Sequence, residues 1–221
     1  MLDRWPHTRT VAVVALAVVL VAAVAILRPG TRTYARDGLT FDYPGALSVH
    51  DQLPPSTGLG QAIAILGTLP WGPCAASDIN CHYQERLGHD QIEVEVDVVA
   101  LMATDLCDYA TTRPDLAGRG PGDPPVSGTT YARIDGRPAI RTDFVVNGAD
   151  YYGSDGWQEW LIAVPGSTAA AYEIRSRWRG PGDAGFLAAL DRLVASVRLT
   201  STAYLGGAGA PADCGAPFPA A

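Results

Sequence analysis

Residues 91–101, QIEVEVDVVAL, constrain the fold more than any other stretch of the chain. Ile92, Val94, Val96 and Val98 alternate with Glu93, Glu95 and Asp97, a period of two that a strand turns into one apolar and one acidic face. A helix would scatter the same residues around its circumference. The expected element is a half-buried strand of an antiparallel sheet, its acidic face in water. Glu93 and Glu95, roughly 7 Å apart on one strand face, also have the residue types of a glycosidase pair. Alternating acidic and apolar residues are what any half-exposed strand shows, so the outer-face reading is preferred over catalysis.

The rest of the chain extends this pattern. Residues 39–43 (LTFDY) alternate and stop at Pro44, and the apolar stretch 61–69 ends in the turn-forming Pro70-Trp71-Gly72-Pro73. Four more strands are expected at 130–134, 138–146, 157–164 and 170–178. They are joined by Asp135-Gly136, by Asn147-Gly148 with a longer excursion, and by Pro165-Gly166, which predicts an antiparallel meander. On 157–164 the alternation places Trp160, Ile162 and Val164 toward a core and Trp157, Glu159 and Leu161 on the opposite face. Residues 103–111 read as a short helix and the Gly/Pro-rich 113–128 as an exposed loop. One longer helix is predicted after Asp183, an N-cap residue type, with Phe186, Leu190, Leu193, Val194 and Val197 forming a stripe to be buried on the sheet. The fold class is therefore α+β, an antiparallel sheet packed with a C-terminal helix.

Ahead of this domain, residues 11–27 hold no polar side chain and as a helix would cover roughly 26 Å, enough for a short membrane span. The competing reading is a cleaved signal peptide, with Arg4 and Arg9 as its charged region and Ala23-Val24-Ala25 as its cleavage site. Ile26 and Leu27 carry the apolar run past that site, which favours an uncleaved single-pass anchor. Flanking arginines, Arg4 and Arg9 before and Arg28, Arg32 and Arg36 after, barely decide the orientation. The expected organisation is a short tail (1–10), the anchor (11–27), a linker (28–37), the α+β domain (38–200) and an irregular Gly/Ala/Pro-rich tail (201–221).

All four cysteines, Cys74, Cys81, Cys107 and Cys214, lie beyond the apolar run, an even number that suits disulfides in an oxidising compartment. Three pairings are possible. Cys74 with Cys81 and Cys107 with Cys214 is favoured, the second pinning the tail to the body. This places the large C-terminal part outside the cytoplasm, at the cell membrane. The alternative use of these residues is a metal-dependent or hydrolytic site on Cys81, His82 and His89. Zinc ligands usually sit two to four residues apart, whereas six residues separate Cys74 from Cys81 and His82 from His89. No cofactor is implied by any motif, and neither a G-x-S-x-G elbow nor a phosphate-binding glycine loop is present.

Composition excludes one class of partner. The net charge is −7 and all 16 basic residues are arginine, with no basic run to displace counterions from nucleic acid. Of the tryptophans, Trp71, in a Pro/Gly turn beside Cys74, and Trp157, on the non-core face of its strand, are the candidates for contacting a partner. Trp packing over the core is the competing assignment.

Gly38-Leu39-Thr40-Phe41-Asp42-Tyr43-Pro44 is similar to the G-x-x-F-x-Y-P start of the PsbP-like family of α/β/α sandwich domains. Ile134-Asp135-Gly136-Arg137-Pro138-Ala139 and the closing LDRLVASVRL (190–199) resemble later parts of the same pattern, so the likeness spans residues 38–200. It implies a non-catalytic accessory or binding module, often secreted or anchored, that assists membrane complexes or envelope processes. The cysteine-bearing insertion around 70–89 and the tail after 200 depart from that pattern.

Overall fold

The computed structural model describes residues 30–36, 38–51, 60–68, 87–88, 90–101, 103–112, 124–146, 154–164, 169–180, 183–200, 214–216 and 218–219. Among them run β1 (Thr31–Arg36), β2 (Leu39–Pro44), β3 (Ser48–His50), β4 (Gly60–Gly67), β5 (Gln91–Ala100), α1 (Leu106–Thr112), β6 (Val126–Ile134), β7 (Arg137–Phe144), β8 (Gly156–Ala163), β9 (Ala170–Arg179), α2 (Asp183–Ser196) and β10 (Arg198–Leu199). A seven-stranded sheet has the order β3-β4-β5-β9-β8-β7-β6, and a smaller sheet the order β1-β2-β10. Every pairing is antiparallel.

The meander is the expected one. β6 and β7 are closed by Asp135-Gly136, whose φ angles of 51° and 73° are the two left-handed values a two-residue hairpin turn of this type needs. Asp135 also ties this turn to the end of the chain's last strand, because its Oδ2 accepts a hydrogen bond of 2.8 Å from the Leu199 amide. β5, by contrast, leaves the local order and pairs with β9, so the two ten-residue strands form the middle of the sheet.

One face of the large sheet carries the main core. Val94, Val96, Val98, Trp160, Ile162, Tyr172 and Ile174 meet Leu39, Phe41 and Tyr43 from the small sheet and Leu190, Leu193, Val194 and Val197 from the end of α2. The α2 stripe is therefore buried as predicted, alongside a second sheet that the sequence reading did not contain. Ser196 links the two, accepting a hydrogen bond of 2.7 Å from the Asp42 amide. The other face carries a smaller apolar cluster in which α1 (Leu106, Tyr109, Ala110) and the tail (Cys214, Phe218) cover Ile140, Leu161, Ala163 and Ala171. The Cys107–Cys214 disulfide staples these two covering pieces together, with Cα atoms 5.3 Å apart.

Two expectations need correcting. The segment read as a linker forms β1, because Thr31–Arg36 alternates outward with Tyr34 inward and Tyr34 stacks on Phe41 at 4.9 Å. β6 begins at Val126 and not after 128, since a bulge between Val126 and Gly128 lets the Gly/Pro-rich stretch pair with Phe144 and Asp143. The described tail residues form no helix or strand, yet they pack on the body: Phe218 meets Tyr131 edge-on at 5.1 Å and Arg133 donates to the Pro219 carbonyl at 2.7 Å. The apolar run 11–27 lies outside the described residues, among which no helix is long and apolar enough to cross a membrane.

Candidate functional site

The acidic face of β5 is not in water. Glu93, Glu95 and Asp97 are only 6%, 7% and 7% exposed, and Glu159 and Glu173 are buried beside them. The sheet register explains the gathering. β9 has its own alternation, with Tyr172, Ile174 and Ser176 facing the main core and Glu173, Arg175, Arg177 and Arg179 facing the other way, the last donating to the Leu87 carbonyl at 2.9 Å. Antiparallel pairing sets Glu93 opposite Arg177, Glu95 opposite Arg175 and Asp97 opposite Glu173, while β8 brings Glu159 to the far side of Arg175. Both central strands thus direct their charged sides to one face, and each is flanked on both edges by another strand.

Arg175 is the hub of the cluster. Its two terminal nitrogens reach different carboxylates, Glu95 at 3.2 Å and Glu173 at 2.5 Å, which a planar guanidinium does and a point-charge ammonium does not. Loss of solvent works against its cationic form, but Glu173, Glu95, Glu159 and Asp97 more than offset this and push its pKa up. Arg177 pairs with Glu93 through Nε at 2.5 Å. Three of the five carboxyls are thus paired with these two guanidinium groups.

Burial acts on the carboxyls as well. Burial, reinforced by the neighbouring Glu95 and Glu173 carboxylates and opposed by Arg175, pushes Asp97 up to about 8. Burial likewise raises Glu93 against the pull of Arg177, and raises Glu173 against the pull of Arg175. Asp97 in its protonated form donates to Glu95, and Glu159 and Glu173 share a hydrogen bond. Burial thus favours the neutral forms of these three carboxyls, which lowers the cost of holding them away from water. Asp97 Oδ1 and Glu93 Oε2 are buried without a hydrogen-bond partner.

The main-core face holds a separate polar chain. Trp160 donates from Nε1 to Gln158 Oε1 at 3.0 Å, and Gln158 donates from Nε2 to Asp143 Oδ1 at 2.9 Å, which Arg141 also contacts at 3.0 Å. These groups satisfy one another and join the β7–β8 hairpin to the core.

Of the residues singled out from sequence, Cys107 and Cys214 are brought together as expected. Trp157 lies on the charged face, half-buried and tilted against Phe144 at 5.9 Å, so its ring is packed on a neighbouring strand rather than presented freely. Trp71, Cys74, Cys81, His82 and His89 lie outside the described residues. Among the described residues no three His, Cys, Asp or Glu side chains are arranged to hold a metal ion. Glu93 and Glu95 are each engaged by their own arginine on the adjacent strand. Glu159, Glu173, Arg175 and Arg177 were not among the candidates. Their signal is the second alternating run, YEIRSRW, which carries the charges complementary to those of β5.

No family model matches the chain, and no curated protein does. Among solved structures, it is similar to cyanobacterial PsbP (CyanoP) from Synechocystis sp. PCC 6803, at 12% identity and a TM-score of 0.49, over 78% of this chain and 94% of that one. It is also similar to LpqN, a protein involved in cell envelope biogenesis of Mycobacterium tuberculosis, at 13% identity and a TM-score of 0.39, over 77% and 91%. The first of these structures carries the name of the PsbP-like family that residues 38–200 resemble.

Proposed function

We propose that this chain is a membrane-tethered, extracytoplasmic binding or accessory protein of the cell envelope that carries out no chemistry of its own. The observation that carries the reading is the Cys107–Cys214 bridge, which fixes the tail against α1 over an apolar cluster. Structural disulfides of this kind persist in oxidising compartments and not in the cytosol. The apolar run 11–27 supplies the tether. The charged groups that could have served catalysis are paired with one another and buried, which suits a structural role. The partner-contacting element in this reading is Trp71 with the Cys74 to Cys81 loop, and the partner is a protein or another envelope component.

The test uses full-length protein in native membranes. Alkylation without reductant, followed by intact mass, should find Cys107 and Cys214 blocked, and the protein should stay with the membrane through an alkaline carbonate wash. Free thiols at both positions, or release by the wash, would overturn the reading. Replacing Trp71 with Ala should then abolish crosslinking to the partner in intact cells while leaving the melting temperature unchanged.

A further inference from the structure

The linker expected between the apolar run and the domain is taken up by β1, which leaves residues 28 and 29 between Leu27 and the first residue held by the fold. That residue is Gly30, whose carbonyl accepts a hydrogen bond of 2.7 Å from the Gly45 amide. Three Cα-to-Cα steps from Leu27 to Gly30 reach at most about 11 Å. A headgroup layer is about 5–8 Å thick, and a run covering roughly 26 Å falls about 4 Å short of a hydrocarbon core of about 30 Å. An anchor at 11–27 therefore delivers Gly30 to the membrane surface without slack, and the part of the domain around Gly30 meets the headgroups.

That part is suited to the contact. Gly30 and the start of β1 lie beside the 44–47 turn, in which the Leu47 amide donates to the Pro44 carbonyl at 2.9 Å. Leu47 is buried in the main core, which fixes the turn, while Ala46 and Ser48 are exposed. Arg32 is exposed, and its Nε lies 3.5 Å from where a side chain on Gly45 would begin, so its guanidinium sits at the turn. The neighbouring charges are already engaged. Asp42, on the opposite face of the small sheet, accepts from Thr33 Oγ1 at 2.7 Å. Arg36, the other arginine of β1, lies 4.0 Å from the Asp51 carboxylate and donates to the Asp51 carbonyl at 2.7 Å. Arg32 has no ion pair among the described residues. In a chain of net charge −7, residues 30–36 and 43–50 contain no carboxylate, so the turn carries an unneutralised cation.

We propose that this end of the small sheet is a lipid-docking surface: the 44–47 turn rests on the headgroup layer and the Arg32 guanidinium donates to lipid phosphate, which holds the domain in one orientation on the membrane that anchors it. A planar guanidinium offers two parallel N–H groups to a phosphate, and at Arg32 no carboxylate competes for them. The short tether names the source of that phosphate, because it keeps the turn within reach of headgroups throughout. The inference rests on the membrane-tethered reading of residues 11–27 and adds to it the surface that faces the bilayer.

The test uses the full-length chain in vesicles of phosphatidylcholine and phosphatidylglycerol. A photoreactive benzoylphenylalanine replaces Ala46 or, as the control, the exposed Thr130 on edge strand β6, which lies six strands from β3 in the sheet order, or about 29 Å. Illumination should give lipid adducts at position 46 and few at 130. A second arm separates affinity from reach: a Gly-Ser spacer of about ten residues inserted after Pro29 lets the domain move about 16–19 Å from its anchor. With the spacer, adducts at 46 should persist, and Arg32→Gln should lower them about fivefold, the weight of one arginine near an anionic surface. Arg32 is exposed and unpaired, so the melting temperature of that variant should not change. Equal adducts at 46 and 130, loss of the 46 adducts on adding the spacer alone, or no effect of Arg32→Gln overturns the proposal while an alkaline carbonate wash still shows the anchor in place. Release of the protein by that wash overturns the anchor and the docking surface together.

Discussion

Replacing Asp97 with Asn should make the protein more stable at pH 8 and leave it nearly unchanged at pH 4. The protonated aspartic acid and the amide have the same shape, and each donates to Glu95, so the substitution fixes the neutral form. In the folded chain Asp97 titrates near 8, against 3.8 when free of its surroundings. Between those values the native state holds a proton that the unfolded state has released. Stability therefore falls as pH rises: it is fully present below about 4, declines through neutrality, and is lost once pH passes the folded value. Each unit corresponds to about 1.4 kcal/mol, so between pH 5 and 8 this group accounts for a decline of at most about 4 kcal/mol. The proton is shared within the cluster, so the difference measured belongs to the coupled groups and falls below that ceiling. Urea unfolding at pH 5, 6.5 and 8 gives the measurement, with equal m-values confirming that the same surface unfolds. Wild type and variant should diverge steadily toward pH 8. Parallel curves, or a wild type that gains on the variant as pH rises, would show that Asp97 is ionised in the folded protein and refute the argument.

Other substitutions probe the rest of the framework. Arg175→Lys keeps the charge but cannot reach Glu95 and Glu173 together, and should cost about 2–4 kcal/mol in chemical denaturation, comparable to breaking a buried pair. Removing the staple with Cys107→Ser/Cys214→Ser opens a loop spanning 107 positions, a loss of about 4–5 kcal/mol in the chain-entropy model, read as a lower melting temperature under non-reducing conditions. Gln158→Leu strands the Trp160 indole N–H and should cost about 1–3 kcal/mol with a change in tryptophan emission. Gly156→Val drives a side chain into the Trp178 ring, which lies directly on that glycine, and should destabilise by about 1–3 kcal/mol in the same denaturation assay.

Local chemistry made much of the fold readable. Asp135-Gly136 carries its own turn type, and the strands on either side of it follow from alternation and from the distance to the next turn. The α2 stripe is legible because four of its residues recur on one side of a helix and all four are buried at its end. What local pattern could not supply was the partner of each strand. β1 reads as a polar, arginine-bearing linker because only Tyr34 of its six residues turns inward, and its pairing with β2 is what makes it a strand. β10 is two residues long and exists through its contact with β2.

The charged cluster was hidden for a related reason. Alternation says that a strand has two unlike faces, and it does not say what lies over either of them. On an edge strand, Glu93, Glu95 and Asp97 would be solvated and unremarkable. Pairing with β9, some eighty residues away, puts them in the middle of a seven-stranded sheet, where their side chains are buried. The sequence does hold the complement: the charged side of β9 reads Glu173, Arg175, Arg177, Arg179, and in the register adopted Arg177 meets Glu93, Arg175 meets Glu95 and Glu173 meets Asp97. That last acid–acid contact is the unexpected part. Like charges directly opposed across a strand pair are destabilising when ionised, so a register that retains one requires protons to be shared there. A sheet built for stability alone would place an arginine or an apolar residue at position 97. Keeping an aspartate there makes the stability of the sheet depend on pH, falling as pH rises toward the raised value of Asp97.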